Sequence, residues 1–571
     1  MSSLIPPHKK VLVSIDFGTS CSGYAYAFIT EKDVDIYVHD SWAGGGSNSL
    51  KTLTLISIDQ AGKLARFGYD AREDHGNAIF SNFKMVLFDS ATREKTMVKA
   101  DNCDQTASVE SLITETLKFF KQTSLERINN GNTNAVEPSQ VQWVITVPAI
   151  WDDAAKQIMR RCAINAGLCT TADDKESLIL AYEPESGAMD CIFEKTNNYH
   201  VAVGQNVLVF DIGGGTADFT VYKQLEDGKI EVIVRPFGGN YGSTYCNQNF
   251  KKFMLELLGD EVTQDMIDSS DFMTLMDKFE SAKKSMSDSS CNDGKSRYIS
   301  FNPRVFDKNI EWLNQRIQKY NVANTANIEY KRSGHLVIPM ESFMTFLQPL
   351  FNKIVDCVKT QMLQCDSIKK PNFIFMIGGF SENYFLQELV KKEFAYTGAK
   401  IIVPTRPSLS VVKGACRFGL RPSVITKRTL QRTYAVNTST SYNLEEHSGR
   451  KQHLVDGIPY VYNICDSFVC AGQSVGIDEI ITRTYWPLRL SQTTLAIDIY
   501  SSLLSDIKYT TDPGISFAAE LLIPLPPGDT KDEKSVIVSM KFGATEIFVT
   551  VVQTKTLEKV EATIDFTINR A

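Results

Sequence analysis

The sequence is poor in the residues that build metal and disulfide sites. Seven histidines and 12 cysteines are spread through 571 residues, with no CxxC pair and no HExxH motif. Neither a structural zinc site nor a disulfide framework is therefore indicated. Most of the cysteines are expected to be small buried residues.

The sequence also lacks features of membrane and nucleic-acid-binding proteins. The N-terminus, Met-Ser-Ser-Leu-Ile-Pro-Pro-His-Lys-Lys, has no apolar signal core, and no apolar run is long enough to cross a bilayer. Lys plus Arg is 60 and Asp plus Glu is 67, with a formal net charge of −7 and no basic run. These absences predict a soluble cytoplasmic protein without a membrane span, and nucleic acid is not an expected partner.

What the sequence does contain is an apolar segment, a turn of three glycines and a second apolar segment. The first segment begins at Val207 and ends near Asp211, and Gly213-Gly214-Gly215 leads through Thr216 and Asp218 into the second. Such a turn has no Cβ atoms, so it can adopt positive φ and bring a row of N–H groups to a polyphosphate. Asp211 would repel phosphate unless a cation lay between them, which favours Mg²⁺. An ordinary hairpin with a flexible tip is the alternative interpretation of this stretch alone.

The same pattern occurs near the N-terminus. An apolar segment ends at Asp16, and the turn that follows contains Gly18, Thr19, Ser20 and Cys21. Because a functional turn is repeated, we expect two similar lobes that face each other with a phosphate chain between them.

These two hairpins resemble the actin-like ATPase domain of the heat-shock protein 70 family, and most closely its divergent type-12 branch. The resemblance covers residues 10–420 and extends more weakly to the C-terminus. It implies an α/β fold of duplicated, ribonuclease H-like lobes that binds ATP or ADP with Mg²⁺. It also implies that Asp16 and Asp211 hold Mg²⁺ through water, while Thr19, Ser20, Thr216 and backbone amides hold phosphates.

The resemblance also assigns catalytic roles around the two turns. Lys84 matches the family's catalytic lysine, whose ammonium would neutralise charge on the terminal phosphate; by itself it would be interpreted as a surface lysine with a packed stem. Glu183 matches a glutamate that positions Mg²⁺ and water, although an acid at a helix start is also favoured by the helix dipole. Together with Asp211, Thr216 and Asp218, these two residues form the predicted catalytic set.

Two further glycine-containing segments match nucleotide-contacting loops of the family. Gly238 and Gly239 correspond to a glycine pair whose N–H groups approach the phosphates. After a predicted strand that ends at Ile377, the loop Gly378-Gly379-Phe380 resembles the family's third nucleotide-contacting loop, with Phe380 in place of the usual serine.

The predicted adenosine-binding residues lie on a predicted helix. Glu280, Lys283 and Ser287 are spaced i, i+3 and i+7, which would place them on one helix face. The resemblance assigns Glu280 and Lys283 to the ribose and Lys284 to stacking on the base. An exposed Glu–Lys pair is the alternative interpretation, because such pairs are common on helix surfaces.

One glycine-rich segment does not fit a phosphate loop. The segment Ala43–Thr52 suggests a Walker A motif, but Leu50 stands where the second glycine is needed. A leucine there would obstruct a loop that wraps phosphates, so we expect a surface loop.

The sequence predicts a tail at 1–9, an ATPase domain at 10–420 and a β-rich domain at 421–571. Lobe I covers about 10–200 and lobe II about 201–400, with a closing helix to 420, and the polar segment 288–335 is predicted to be an inserted, mobile subdomain. The C-terminal domain is predicted from alternating apolar residues and is expected to lack a helical lid. The alternating segments are Leu495–Ile499, Val536–Phe542, Ile547–Val551 and Val560–Ile568.

The junction Arg421–Thr433 carries three arginines and one lysine. Docking this segment into an apolar groove would bury charge, which is disfavoured without partners. We therefore expect a strand that is permanently packed, and weak coupling between the domains.

The prediction is a stress-response chaperone or regulatory protein that binds Mg-ATP and hydrolyses it slowly to ADP and phosphate. Client proteins or peptides would bind to the β domain. One alternative is a small-molecule kinase of the same superfold, which would need a substrate pocket with a catalytic carboxylate between the lobes. The other is a scaffold that binds nucleotide without turnover.

Overall fold

The chain divides into two compact units. The first comprises Met1–Trp151, Arg161–Thr220 and Phe237–Arg421, and the second comprises Asp152–Arg160, Val221–Pro236 and Pro422–Ala571. The structure is a computed structural model and describes residues 5–29, 34–45, 49–74, 76–88, 96–130, 135–171, 177–194, 199–365, 368, 370–543 and 545–563.

The strands up to residue 402 are, in chain order, β1 (Val11–Asp16), β2 (Cys21–Phe28), β3 (Tyr37–Val38), β4 (Thr52–Leu53), β5 (Leu55–Ile58), β6 (Leu64–Phe67), β7 (Ala78–Ser81), β8 (Met97–Lys99), β9 (Thr106–Ser108), β10 (Val141–Val147), β11 (Leu178–Tyr182), β12 (Asn206–Ile212), β13 (Ala217–Gln224), β14 (Ile230–Gly239), β15 (Arg297–Ser300), β16 (Glu329–Lys331), β17 (His335–Ile338), β18 (Phe373–Ile377) and β19 (Lys400–Ile402).

The α-helices are α1 (Tyr69–Arg72), α2 (Val109–Asn129), α3 (Asp153–Asn165), α4 (Glu183–Phe193), α5 (Thr244–Leu258), α6 (Gln264–Ile267), α7 (Ser270–Lys284), α8 (Ile310–Asn324), α9 (Met340–Gln364), α10 (Tyr384–Glu393) and α11 (Pro407–Leu420).

Two sheets share one arrangement of five strands. One has the order β11-β10-β1-β2-β3, with β4 also paired to β2, and the other is seven-stranded, with β19-β18-β12-β13-β14 followed by β20 (Ile425–Thr429) and β24 (Ser474–Gly476). Among the strands up to residue 402, the first strand of each set is central, the next two lie on one side, and the last two lie on the other. The predicted pair of similar lobes is therefore confirmed.

Strand direction places the two glycine turns at one edge of each sheet. β1, β10 and β11 run parallel, with Val11 opposite Val141 and Trp143 opposite Leu178. β12, β18 and β19 are also parallel to one another. Parallel strands end at the same edge, where ligands of open α/β sheets bind. The two glycine turns follow β1 and β12, at such edges.

The central strands are apolar because they are covered on both faces. Every residue of β1, β10 and β18 is buried, as expected for parallel strands packed between helices. The predicted closing helix is α11, and its Val412 carbonyl accepts a hydrogen bond of 2.8 Å from the Ser14 hydroxyl of β1.

The polar segment 288–335 folds into regular structure. It contributes α8 and most of the sheet β15-β17-β16. Asn309 caps α8 because its side chain accepts the Trp312 N–H. The mobility of this segment stays a prediction.

The second unit is strand-rich, as predicted. Its later strands are β20 (Ile425–Thr429), β21 (Thr433–Ser441), β22 (His453–Val455), β23 (Ile458–Val469), β24 (Ser474–Gly476), β25 (Ile480–Tyr485), β26 (Thr494–Ser502), β27 (Ile515–Pro524), β28 (Val536–Lys541), β29 (Phe548–Gln553) and β30 (Lys559–Thr563).

Two sheets of this unit, β22-β23-β21-β26-β27 and β25-β28-β29-β30, enclose one apolar core. Burial alternates along β28 and β29, as the period-two pattern predicts. The predicted strand segment Val560–Ile568 is described only to residue 563, and its last apolar positions lie outside the described residues.

The junction forms the predicted strand. Within the second unit, β20 pairs with β14, with Ile230 opposite Ile425, and also with β24, with Lys427 opposite Gly476. Arg428 is buried and donates to the Gly543 carbonyl over 2.5 Å. The backbone carbonyl compensates the desolvation of this charge in part.

A buried ionic group, which we call the balanced cluster, connects separate segments of the second unit. Lys156 contacts Asp153 at 2.6 Å and donates to the Thr545 carbonyl at 2.8 Å. Arg160 forms a two-pronged ion pair with Glu546, with one Nε–Oε1 distance of 2.8 Å. Two carboxylates thus face two cations.

Candidate functional site

The two glycine turns lie against each other in the first unit. A Cβ atom at Gly214 would overlap the Ser20 hydroxyl, and one at Gly215 would overlap Thr19 Oγ1 and the Met85 sulfur. Only glycine permits this approach of backbone to side chain. The structure thus brings the two predicted phosphate turns together.

The prediction that the Gly213–Gly215 turn adopts positive φ is wrong. No residue of that turn has a positive φ, whereas Gly238 and Gly378 have φ of 148° and 84°. The turn is instead anchored through its three carbonyls, which accept N–H groups from Gly242, Ser243 and Thr244. Among the residues that the structure describes, the N–H groups of Gly214 and Gly215 have no protein acceptor.

Lys84 is buried, contrary to its interpretation as a surface lysine. It lies in the 3₁₀ helix Phe83–Leu87 and is 3% exposed. Its ammonium donates to the Phe17 carbonyl over 2.5 Å and to Glu183 over 2.7 Å. The rings of Phe17 and Trp151 lie 5.5 and 5.3 Å from it. Glu183 is the first residue of α4, directly after strand β11, and its carboxylate contacts Lys84.

Lys51 is the site residue that sequence reasoning missed. It forms an ion pair with Asp16, and its side chain is only 14% exposed, so the prediction of a surface loop is wrong at this position. The other oxygen of Asp16 accepts the Thr146 hydroxyl over 3.1 Å. The one available signal was that Lys51 directly precedes a short apolar strand, β4.

Asp218 and Asp211 complete the acidic part of the site. The Ile150 N–H donates to Asp218 over 3.2 Å. One oxygen of Asp211, Oδ2, is buried and has no hydrogen-bond partner among the described residues. We call Asp16, Lys51, Lys84, Glu183, Asp211 and Asp218 the cleft cluster.

The carboxylates of the cleft cluster are destabilised by burial and by one another. Burial and the charge of Glu183 raise the pKa of Asp218 to about 7, against hydrogen bonds from Thr216 and the Ile150 N–H. Burial, with the charges of Glu183 and Asp218, raises the pKa of Asp211 well above its usual range. Burial also raises the pKa of Glu183, although Lys84 opposes that shift. Four carboxylates share two lysines, so two carboxyl groups lack a cationic partner and hold their protons more tightly.

This surplus of carboxyl groups fits a divalent cation, which would favour their ionised forms. The unpartnered Oδ2 of Asp211 could accept a metal-bound water, and carboxylates are suitable partners of hydrated Mg²⁺. Within the described ranges no three His, Cys, Asp or Glu side chains converge closely enough to hold a metal ion. The residues therefore fit a cation held through water rather than a cage of direct protein ligands.

The predicted ribose residues are joined at the end of α7. Lys283 is buried, contacts Glu280 at 2.6 Å and donates to Asn247 at 2.9 Å. Against the effect of burial, Lys283 and Lys284 lower the pKa of Glu280 to about 2. Lys284 is 58% exposed.

The helical spacing predicted for Ser287 is wrong. Helix α7 ends at Lys284, with Ser285 as its C-cap, so Ser287 lies beyond the helix and is exposed. The residues that follow Lys284 include several serines and an aspartate, whose side chains compete with helical hydrogen bonds.

The third predicted loop lies beside the same residues. Phe380 is buried, and its ring centroid lies 5.6 Å from the Lys283 ammonium. Gly378 needs its left-handed backbone, and a Cβ there would meet Asp211 Oδ1 at 2.7 Å. Gly379 faces open space. β18 therefore delivers this loop to the acidic end of the site.

Within the part of the chain that the structure describes, no helix is both long and apolar enough to span a bilayer.

The duplicated sheets, with paired turns at their strand ends, define an actin-like fold of the nucleotide-binding class. A family model described as Hsp70 protein matches residues 72–328. Mouse heat shock 70 kDa protein 12A is 30% identical over 97% of this chain and 91% of its own length. Human heat shock 70 kDa protein 12B is 26% identical over 98% and 91%. The chaperone protein DnaK of Ureaplasma parvum is 26% identical over 49% of this chain and 40% of its own length.

The chain belongs to the heat-shock protein 70 family. The predicted resemblance to the type-12 branch and the predicted fold class are confirmed. The family also supports the coarse prediction of an ATP-binding, Hsp70-like protein.

Proposed function

We propose that this protein binds Mg-ATP between the two glycine turns and hydrolyses it slowly to ADP and phosphate. The observation that carries the proposal is the cleft cluster, in which four carboxylates share two lysines, together with the N–H groups of Gly214 and Gly215, which have no protein acceptor among the described residues. A cation and a polyphosphate together would satisfy both features. Carboxylates and N–H groups without partners do not stabilise the folded chain, so a purely structural role would not explain this arrangement.

The side chains divide the chemistry among them. Lys84 is held by hydrogen bonds to Phe17 and Glu183, so its positive charge would stabilise the negative charge that develops on the terminal phosphate. Asp218 has a pKa of about 7 and can accept a proton from an attacking water near neutral pH. Bound Mg²⁺ would neutralise phosphate charge, and Asp16 and Asp211 would hold it through water. Thr19, Ser20 and Thr216 would add hydroxyl contacts.

The nucleoside would lie toward Glu280, Lys283 and the loop Gly378–Phe380. The ion pair of Glu280 and Lys283 presents hydrogen-bonding groups suited to ribose hydroxyls. Lys284 is exposed enough to lie on a base, and Gly238 and Gly239 would allow backbone to approach phosphates.

We assign nucleotide binding to residues 10–420 and client proteins or peptides to residues 421–571. The strand-rich second unit supports this assignment, since β-sheet proteins commonly bind extended peptides along strands. The chaperone or regulatory role of the protein follows from this division.

A single-turnover assay with labelled ATP tests the proposal. Lys84→Ala should slow hydrolysis by about 100-fold or more and leave nucleotide affinity largely intact, because the ammonium acts on the transition state. Lys63→Ala is the matched control, since Lys63 is exposed and outside the site.

The alternatives give different results in the same assay. Binding without release of phosphate would favour the nucleotide-binding scaffold. Transfer of the label to a metabolite would favour the small-molecule kinase. Absence of ATP binding in Mg²⁺ would contradict the proposal itself.

A further inference from the structure

The backbone fixes Lys51 beside the first phosphate turn. Strand β4 begins at the next residue and pairs with β2, with Thr52 opposite Ser22 and Leu53 opposite Cys21. The Lys51 stem then passes over Gly23, where a Cβ would lie 3.1 Å from Lys51 Cγ. Gly23 therefore leaves room for the lysine to reach Asp16.

The ammonium of Lys51 lies among the acidic side chains of the site and partly balances their charge. Asp16 Oδ1 is already occupied by the Thr146 hydroxyl, and Lys51 occupies Oδ2. Both partners are largely buried, with 14% and 6% of their side chains exposed. Burial lowers the pKa of Lys51, but the charge and hydrogen bond of Asp16 raise it more, so the lysine is charged.

Lys51 also acts on the rest of the cleft cluster. Its charge favours the ionised forms of both Asp211 and Glu183. An ordinary structural ion pair would concern Asp16 alone, whereas this ammonium lies within electrostatic range of three carboxylates. A phosphate entering the cleft between the two turns would meet that same positive charge.

We propose that Lys51 is a nucleotide-binding residue that supplies, from within the chain, part of the positive charge between Asp16 and the phosphates. The inference rests on the proposed function. From the sequence, a metal ion was the only positive charge expected between the carboxylates and phosphate. Lys51 adds a second one. Nucleotide should therefore bind with reduced but measurable affinity when divalent cations are removed.

Calorimetric titration of the full chain with ATP, in excess Mg²⁺ and in excess EDTA, tests the inference. The wild type should bind in EDTA, within about 100-fold of its affinity in Mg²⁺. Lys51→Met should weaken binding in EDTA by about 10- to 100-fold, the range expected for one charge-assisted hydrogen bond. The loss in Mg²⁺ should be smaller, because the metal supplies charge there.

Two variants separate charge from packing. Lys51→Arg keeps the charge and should retain most of the binding in EDTA, while Lys63→Met, at an exposed position, should change neither affinity. Equal losses for Lys51→Met in Mg²⁺ and EDTA, or no loss in EDTA, would overturn the inference.

The wild-type titration decides the matter if Lys51→Met does not fold. Wild-type binding in Mg²⁺ with none detectable in EDTA overturns the role of Lys51 and leaves the proposed function standing. Absence of binding in both buffers contradicts the proposed function as well.

Discussion

In the balanced cluster, Asp153 and Glu546 meet Lys156 and Arg160, whereas in the cleft cluster four carboxylates share Lys51 and Lys84. Both groups are buried, so low exposure does not distinguish them. They differ in charge matching and in hydrogen bonding: the carboxylates of the balanced cluster are paired, while Asp211 Oδ2 is left unpartnered among the described residues.

This difference teaches how to tell a structural ionic group from a functional one. A buried carboxylate that is matched and hydrogen-bonded holds segments together but adds little net stability compared with apolar packing. A buried group with unmatched charge costs free energy in the empty protein, and it is expected where a ligand will supply the missing charge. We therefore expect the balanced cluster to be structural and the cleft cluster to bind the ligand.

The largest expected effect is in the balanced cluster. Arg160→Met would leave Glu546 buried without its cation, which should lower the free energy of unfolding by about 3–5 kcal/mol. The double variant Arg160→Met/Glu546→Met should recover most of that loss, because both charges are removed. Urea denaturation measures the change.

The adjacent arginine provides the control for this prediction. Arg161 pairs with Glu110, but both side chains are about 40% exposed, at 39% and 42%. Arg161→Met should therefore cost about 1 kcal/mol or less. Similar losses for the two arginine variants would show that Arg160 has no special structural role.

In the cleft cluster, removal of a negative charge should raise the free energy of unfolding instead of lowering it. The pKa of Asp218 is about 7 in the folded chain and about 3.9 when unfolded, so the folded state holds this proton more tightly. The corresponding stabilisation is complete below pH about 4 and is lost as the pH rises through about 7. Asp218→Asn, which stays neutral, should be more stable than the wild type at pH 8 by about 1–4 kcal/mol.

The same comparison at pH 5 should give a smaller difference, because Asp218 is then protonated in the folded wild type. Asp260→Asn, at an exposed position, is the control and should change stability little at either pH. Destabilisation by Asp218→Asn at pH 8 would mean that ionised Asp218 does not destabilise the folded chain.

The smallest expected effect concerns coupling between nucleotide turnover and the second unit. β20 is hydrogen-bonded on both sides within that unit, with Arg428 buried, so this strand is already paired and is not available for docking. Extended apolar peptides should change ATP turnover of the full chain by less than about fivefold, a coupling below about 1 kcal/mol. Polar peptides of equal length are the control.

A stimulation well above fivefold, limited to the apolar peptides, would contradict that expectation. It would show that the two clusters influence each other during a peptide-dependent cycle, and that β20 changes its pairing when nucleotide binds.

Local sequence patterns were enough to predict the lobes and the turns. Asp16 and Asp211 end apolar segments before glycines, and those segments form central strands because uniformly apolar runs must be buried. Strands β28 and β29 follow from the alternation of apolar residues predicted for the C-terminal domain. These features depend on a few neighbouring residues.

Other features depend on residues far apart in the chain. The partner of Lys51 is set by the pairing of β4 with β2, and a failed phosphate-loop pattern gave no reason to expect it. The close approach of Gly214 to Ser20 likewise requires both lobes to be in place. Ser287 shows a different limit, because a spacing rule was extended past the end of α7.

The balanced cluster also has a consequence for how the protein is made. Arg160 and Glu546 are separated by 386 positions, and ribosomes add about 5–20 residues each second. Arg160 is therefore synthesised about 20–80 s before its partner Glu546. During that interval a nascent chain exposes cationic side chains and incomplete sheet edges, so this chain should itself depend on chaperones while it is being translated.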